Sequence, residues 1–439
     1  MHLKTSLLVA SALTLAAFTS AQAETTVTIA TVNNGDMIRM QKLTDDFTAQ
    51  HPDIELEWVT LEENVLRQKV TTDIATKGGQ YDVLTIGNYE VPIWAKQDWL
   101  LALNDLPADY DAGDLLPAIA GGLSVDDTLY AVPFYGESAM VMYRTDLAEK
   151  AGVTIPAEPK WDDIKKAAAA MTDKDAGIYG ICLRGKAGWG ENMAFLGAMS
   201  NSYGARWFDM EWKPQFDTPE WKATLTDYLD LMNNYGPPGA SSNGFNENLA
   251  LFQQGKCGMW IDATVAASFV TDPDESKVAD SVGFALFPEK GDIGNRGNWL
   301  WSWNLAIPAS TQKADAAKAF VAWATSKHYT DLVAKQDGWR AAPPGTRTSL
   351  YENADYQKAA PFAEMTLESI NAVDTKKPSV QDIPYTGAQF VSIPEFQGIG
   401  TAVGQQFSAA LAGNTTADQA LSNAQQLTAR EMMKAGYPK

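Results

Sequence analysis

Apolar and polar residues recur with two different periods along the chain, and near the N-terminus they predict alternating strands and helices. Met40, Leu43 and Phe47 recur at helical spacing, and residues 65–75 predict a second helix. Three segments have the apolar or alternating pattern of strands: VTIATV at 27–32, IELEWV at 54–59 and DVLTIG at 82–87. Strand, helix, strand, helix, strand is the order of a parallel sheet covered by helices.

A second set of elements follows residue 133 and has the same mixed character. Apolar segments predict further strands at 138–143, 178–183, 257–262, 282–287 and 302–307. Helical spacing predicts helices at 161–171, 221–233 and 246–254. Trp221 and Trp323 lie on helical stripes, which favours core packing for both. The sequence therefore predicts an α/β protein, mostly helical after residue 315.

The length of the chain predicts two lobes. Its 439 residues exceed what one hydrophobic core usually organises. No repeat and no low-complexity linker divides the sequence. We therefore expect the chain to cross between the lobes more than once.

The segment 1–23 has the three-part pattern of a secretory signal peptide. Lys4 supplies the charge, the apolar run at 6–18 is too short to span a bilayer comfortably, and AQA at 21–23 supplies small residues for cleavage. We expect the mature chain to begin at Glu24 and to reside in a Gram-negative periplasm, since the run contains no lipoprotein cysteine. The alternative interpretation is a buried N-terminal helix.

Charge and histidine content exclude several classes of partner. The net charge of -20 argues against nucleic acid and anionic lipid. Beyond the signal segment only His51 and His328 are present, and no Cys or His spacing resembles a ligand cluster, so neither a metal site nor a cofactor is predicted. Cys182 and Cys257 lie in predicted strands of one lobe, where an oxidising compartment permits a disulfide; two buried thiols are the alternative.

The sequence lacks the common short motifs of catalysis and nucleotide binding. It contains no G-x-x-x-x-G-K-[ST], no dinucleotide fingerprint, no G-x-S-x-G and no H-E-x-x-H. Two histidines far from any serine motif argue against a Ser-His-Asp arrangement. The absence of these motifs favours a binding protein over an enzyme.

Aromatic residues supply the first candidates for a binding site. The chain has 14 tryptophans, and open α/β sheets place ligands where strands end. Candidates near predicted strand ends or in turns are Trp189, Trp299, Trp301, Trp303 and Trp339. Alternation puts three of them, at 299, 301 and 303, on one face of an extended segment, and that face can be core or pocket. Tryptophan rings suit the C–H faces of sugars, although core packing is the competing interpretation for each.

Polar residues that follow or end successive predicted strands, or lie in a loop beside an aromatic residue, supply the second group of candidates. They are Asn34, Asp36, Asn88, Glu137, Arg184, Asp262 and Arg340. Carboxylates and arginine form charge-assisted hydrogen bonds with vicinal hydroxyls. A solvated surface role or a helix cap is the alternative for each one alone. Their recurrence after successive strands favours a shared site.

Three segments resemble the extracellular solute-binding family of carbohydrate ABC importers. YDVLTIGNYEVPIWAKQDWLLAL at 81–103 resembles a strand, ligand loop and helix end of that family. LYAVPFYGESAMVMYRTDLAEKAG at 129–152 resembles its signature, with Arg144 where Asn or Asp is usual, and LFQQGKCGMWIDAT at 251–264 resembles a third motif. Segments 181–192, 257–264 and 299–304 are most similar to the branch that binds sorbitol and mannitol.

The resemblance implies a two-lobed periplasmic binding protein fold of type II, with the ligand enclosed in the cleft between the lobes. Lobe 1 is expected to comprise 24–134 plus 308–362, and lobe 2 to comprise 135–307 plus 363–439. The implied function is the capture of a sugar alcohol or related sugar by a monomer that delivers it to the membrane permease subunits. Closure requires contacts that only the closed state makes, so both lobes must contribute site residues.

Two alternatives stay open at this point. A secreted carbohydrate-active enzyme would also use aromatic residues and paired carboxylates. A mono- or disaccharide could occupy the same fold. For an alditol, we hypothesise that Asp262 and Arg184 bind hydroxyls while a tryptophan from 299–303 covers the carbon chain.

Overall fold

The structure, a computed structural model, describes residues 25–438. The predicted signal peptide lies outside these described residues. Within them, no helix combines the length and the apolar character needed to cross a membrane.

Ten strands are formed within residues 25–438. They are β1 (Thr25–Val32), β2 (Ile54–Leu61), β3 (Val83–Gly87), β4 (Ser124–Val125), β5 (Thr128–Leu129), β6 (Ala131–Glu137), β7 (Ala139–Arg144), β8 (Met259–Ala263), β9 (Val282–Leu286) and β10 (Trp301–Ala306).

Eighteen α-helices are formed in the same part of the chain. In the first half they are α1 (Gly35–Lys42), α2 (Thr44–Gln50), α3 (Glu63–Thr76), α4 (Glu90–Ala95), α5 (Pro117–Ala120), α6 (Thr145–Ala151), α7 (Trp161–Met171), α8 (Asn192–Ser202) and α9 (Pro219–Tyr235). The remainder are α10 (Phe245–Gln253), α11 (Ala266–Val270), α12 (Ala314–Ala324), α13 (Lys327–Asp337), α14 (Thr348–Glu352), α15 (Ala354–Ala359), α16 (Ala363–Asn371), α17 (Phe396–Leu411) and α18 (Ala417–Lys434).

The first lobe is built on a five-stranded sheet with the order β2-β1-β3-β10-β6. As the sequence predicts, β1 pairs in parallel with both β2 and β3. The late strand β10 is inserted antiparallel between β3 and β6, which places Trp303 opposite Gly87 on one side and opposite Tyr135 on the other. The predicted division placed residues 135–307 in lobe 2, but these ladder hydrogen bonds hold β10 in the first sheet. We therefore propose that residues 301–306 belong to lobe 1.

The second lobe contains a three-stranded antiparallel sheet with the order β8-β7-β9. Ser138 alone separates β6 of the first sheet from β7 of the second, so the chain passes directly from one lobe to the other there. The strand predicted at 178–183 forms only single bridges, through Tyr179 and Cys182. It is not continuous because the intervening Ile181 N–H turns away and donates to the Tyr235 carbonyl, 3.3 Å away.

The interior of both lobes is dense in large side chains. Trp221 and Trp323, assigned to the core from helical spacing, are both buried, which confirms that interpretation. Cys182 and Cys257 form a disulfide in the second lobe, with 5.9 Å between their Cα atoms. Both cysteines are buried.

We predict that this disulfide contributes substantially to stability. It closes a loop with a sequence separation of 75, for which loop-closure entropy gives about 4.5 kcal/mol of unfolding free energy. Denaturant unfolding with and without reductant should show this loss, and thiol counting on the unfolded, unreduced protein should find no free thiol. A Cys182→Ser, Cys257→Ser double variant is the control and should not respond to reductant. Two free thiols in the unreduced protein would disprove the bridge.

Candidate functional site

A cavity of about 170 Å³ lies between the lobes, where β1 and β6 end and β10 begins. This volume is below the range of roughly 300–1,000 Å³ that is usual for pockets holding drug-sized ligands. The cavity therefore fits a small ligand. Its wall combines carboxylates, basic side chains and tryptophans.

The structure brings seven of the twelve sequence-predicted site residues to this cavity. They are Asn34, Glu137, Arg184, Trp189, Trp299, Trp301 and Trp303. The other five lie outside its lining: Asp36, Asn88, Asp262, Trp339 and Arg340.

The end of β1 delivers Asn34 to the cavity because the next element is a helix that needs a cap. The Asn34 side-chain oxygen accepts from the backbone N–H of Met37, 3.0 Å away, and so satisfies one of the free donors at the start of α1. Its amide nitrogen donates to the Tyr135 hydroxyl of β6 at 2.9 Å. The Asn34 side chain therefore both caps α1 and forms part of the cavity wall.

Three tryptophans surround one buried guanidinium in the cavity wall. The Arg67 Cζ atom lies 4.0 Å from the ring centroid of Trp189 and 4.7 Å from those of Trp301 and Trp303. The rings of Trp301 and Trp303 meet edge to face, with centroids 5.4 Å apart, because alternation along β10 puts both on one face. We call Arg67 with these three rings the arginine cage.

Carboxylates hold the guanidinium of the arginine cage in place. Glu63, one turn earlier on α3, accepts from Arg67 Nη2 at 2.8 Å and from Nε at 3.1 Å. Glu90 accepts from Nη1 at 3.2 Å and also from the Gly87 N–H at 2.9 Å. Burial raises the pKa of Glu90, and the neighbouring Arg67 opposes that rise.

Arg184 forms a second buried charged group on the opposite wall. Its Nη2 and Nε donate to the Asp262 carboxylate at 2.7 and 2.9 Å, and its Nη1 donates to the Gly190 carbonyl at 2.9 Å. Asp262 also accepts from Trp260 Nε1 and from the Ala263 N–H. Because these protein donors occupy its oxygens, Asp262 positions Arg184 from behind and does not face the cavity. Although burial lowers it, Asp262 raises the pKa of Arg184 above its ordinary value.

Two cavity carboxyls have raised pKa values. Burial and the nearby Glu63 carboxylate raise the pKa of Glu191 to about 7, against the effect of neighbouring cationic side chains. Burial also raises the pKa of Glu137 well above its usual range. One oxygen of Glu191, Oε2, has no hydrogen-bond partner among residues 25–438. These groups can accept hydrogen bonds from hydroxyls and, when protonated, donate to them.

Contacts across the cleft show that the lobes are closed over the cavity. Lys186 Nζ lies 2.6 Å from Glu62 Oε1, which joins the second lobe to the N-cap of α3. The Asn246 amide donates to the Asn33 carbonyl at 3.0 Å, directly after β1. These contacts form only when the lobes meet, as a closure mechanism requires.

The remaining predicted candidates serve the structure around the site. Asp36 pairs with Arg39 at 2.6 Å. Asn88 donates to the Leu300 carbonyl at 3.2 Å. Trp339 is half-buried against the core. Arg340 pairs with Asp272 at 2.9 Å, on the other side of the cleft.

Several charged residues of the cavity were not among the sequence-based candidates. They are Glu62, Glu63, Arg67, Lys186, Glu191 and Glu247. Glu63 and Arg67 are spaced by four residues on a helix, a pattern that ordinarily marks a solvated face. Lys186 and Glu191 fall within the segment 181–192 that resembles the polyol-binding branch, so that segment carried a signal for them.

The chain is similar to known proteins over nearly its whole length. The chain is 58% identical over 420 residues to the mannitol-binding protein of Pseudomonas aeruginosa, covering 95% of this chain and 96% of that relative. It is 73% identical to an ABC transporter solute-binding protein of Agrobacterium vitis S4 whose crystal structure contains bound D-mannitol. That structure matches with a TM-score of 0.94 over 94% of this chain and 100% of the other.

More distant structures share the fold. A solute-binding protein of Agrobacterium radiobacter K84 in complex with ribitol matches with a TM-score of 0.81 at 24% identity, covering 92% of this chain and 98% of that one. The model of the family described as bacterial extracellular solute-binding protein matches residues 34–331. That match spans more than half of the chain, which therefore belongs to the bacterial extracellular solute-binding protein family.

Proposed function

We propose that this protein captures a hexitol, mannitol or a close alditol, and delivers it to the membrane permease of an ABC importer. The observation that carries the proposal is a small, closed cavity lined by fixed charges, in a chain 73% identical to a protein that holds D-mannitol. The relative at 58% identity is a mannitol-binding protein.

The chemistry of the cavity supports an open-chain polyol. Such a ligand carries a hydroxyl on every carbon, so it needs donors and acceptors spread along its length, and it loses rotamer freedom on binding. Arg67, Arg184 and Lys186 supply donors from both lobes, while Glu137 and Glu191 supply acceptors. Hydrogen bonds from the charged arginine and lysine groups are stronger than neutral ones and offset that lost freedom.

The cellular setting of the proposal follows from the N-terminal segment and the family. We propose export by the signal peptide at 1–23, residence in the periplasm, and action as a monomer. A family of extracellular solute-binding proteins is a family of binding proteins and not of enzymes. The rival function, a glycosidase using Glu137 and Glu191, predicts turnover of a glycoside; a binding protein returns it unchanged.

We predict that Glu191→Gln weakens mannitol binding by roughly ten- to a hundredfold. At a pH above the raised pKa of Glu191, the change keeps the shape of the side chain but removes a buried charged acceptor, which costs ~1.5–3 kcal/mol when a hydroxyl uses it. Isothermal calorimetry with mannitol and sorbitol measures the loss. Glu158→Gln, on an exposed glutamate remote from the cavity, is the matched control and should bind as the wild type does.

Two outcomes of this calorimetry would contradict two different claims, the ligand assignment and the role of Glu191. Wild-type affinity for disaccharides without affinity for alditols would overturn the ligand assignment. Unchanged alditol affinity in Glu191→Gln would remove only the role of Glu191.

Ligand addition should also close the lobes. The cross-cleft contacts of Lys186 and Asn246 belong to the closed form, so the free protein should sample a more open one. Small-angle scattering should show a smaller radius of gyration after mannitol is added, at an unchanged molecular mass. Tight binding with an unchanged scattering profile would contradict closure.

A further inference from the structure

A ring sugar needs an open aromatic face for stacking, which the tryptophans of this cavity do not offer. Pyranose rings bind proteins by laying an apolar C–H face on the flat face of an aromatic side chain. Four tryptophans line the cavity, which at first favours such stacking. A sugar ring can stack on one of them only if a face of its ring is free.

The faces of three of these tryptophans are already covered, and the fourth, Trp299, is only 2% exposed. Arg67 lies over the rings of Trp189, Trp301 and Trp303 at 4.0–4.7 Å from each centroid, which is the separation of groups in contact. Two carboxylates fix the guanidinium there, and the side chain of Arg67 is only 5% exposed. No second layer fits between Arg67 and the rings.

Two of these rings are also packed against other groups. The ring of Tyr89 lies 4.8 Å from that of Trp189. Trp301 lies directly on the backbone of Gly87, where any Cβ would overlap its ring. With only 3% of Trp189 and 6% of Trp301 exposed, neither residue offers an open ring face to a sugar.

The cavity instead presents hydrogen-bonding groups. Arg67 has five N–H groups, three of which bond to Glu63 and Glu90, so two have no partner among the described residues. The indole N–H groups of Trp189 and Trp299 also have no partner within residues 25–438. Both tryptophans belong to the wall of the cavity.

We propose that Arg67 is a specificity-determining residue that restricts the site to open-chain polyols. Its guanidinium occupies the aromatic faces on which a sugar ring would stack, and its two free N–H groups bind hydroxyls. This inference rests on the proposed function and names the feature that selects the ligand class. It also replaces the hypothesis that a tryptophan covers the carbon chain.

The test uses a double variant, Arg67→Met with Glu90→Gln, in the full mature chain. Replacing Arg67 together with Glu90 removes the most deeply buried ion pair, so the remaining carboxylate is that of Glu63, which is partly exposed; methionine fills the aliphatic space. Calorimetry should use mannitol and methyl α-D-glucopyranoside, a pyranose that cannot open. The matched control is Arg39→Met with Asp36→Asn, a largely buried ion pair of the same lobe outside the cavity lining.

We expect the Arg67 variant to lose roughly ten- to a hundredfold in mannitol affinity and to gain about tenfold or more for the glycoside. A gain for the glycoside cannot come from structural damage. The control pair should leave the ratio of the two affinities unchanged. An unchanged ratio in the Arg67 variant would overturn the proposal, whereas failure of the wild type to bind mannitol would overturn the proposed function itself.

Discussion

Two buried arginines between the lobes are the constraint on which the rest of the site depends. A guanidinium removed from water is costly unless carboxylates compensate it. Arg67 is compensated by Glu63 and Glu90, and Arg184 by Asp262. Each compensating carboxylate comes from an element next to the cleft. The elements that form the cleft therefore have to bring these charges together.

The order of elements was predictable because it depends on local pattern. The periods of apolar residues identified β1 to β3 and their parallel pairing, and the resemblance implied the two lobes. The position of β10 was not predictable in the same way. It pairs with β3, more than two hundred residues earlier in the chain, and only the completed sheet shows that register. The interruption of the predicted strand between Tyr179 and Cys182 likewise depends on a distant contact, that of Ile181 with Tyr235.

The site was predictable where a candidate follows a strand, as Asn34 does, or ends one, as Glu137 does, and where alternation puts Trp301 and Trp303 on one face. It was not predictable where a charge is buried by a partner from a distant element. Arg67 has the helical spacing of a surface residue, and only the tryptophans of the cleft reveal its burial. Asp262 lies at the end of a strand, as the candidates were chosen to do. It still faces away from the cavity, because Arg184 donates hydrogen bonds to its carboxylate oxygens.

The crystal structure of the mature protein with mannitol tests the central claim most directly. We expect mannitol to lie inside the closed cavity, with its hydroxyls at about 2.7–3.2 Å from Arg67, Arg184 and Glu191. Arg67 should remain over the three tryptophans in that complex. Mannitol bound outside the cavity, or its carbon chain stacked on Trp301 with Arg67 displaced, would contradict the account.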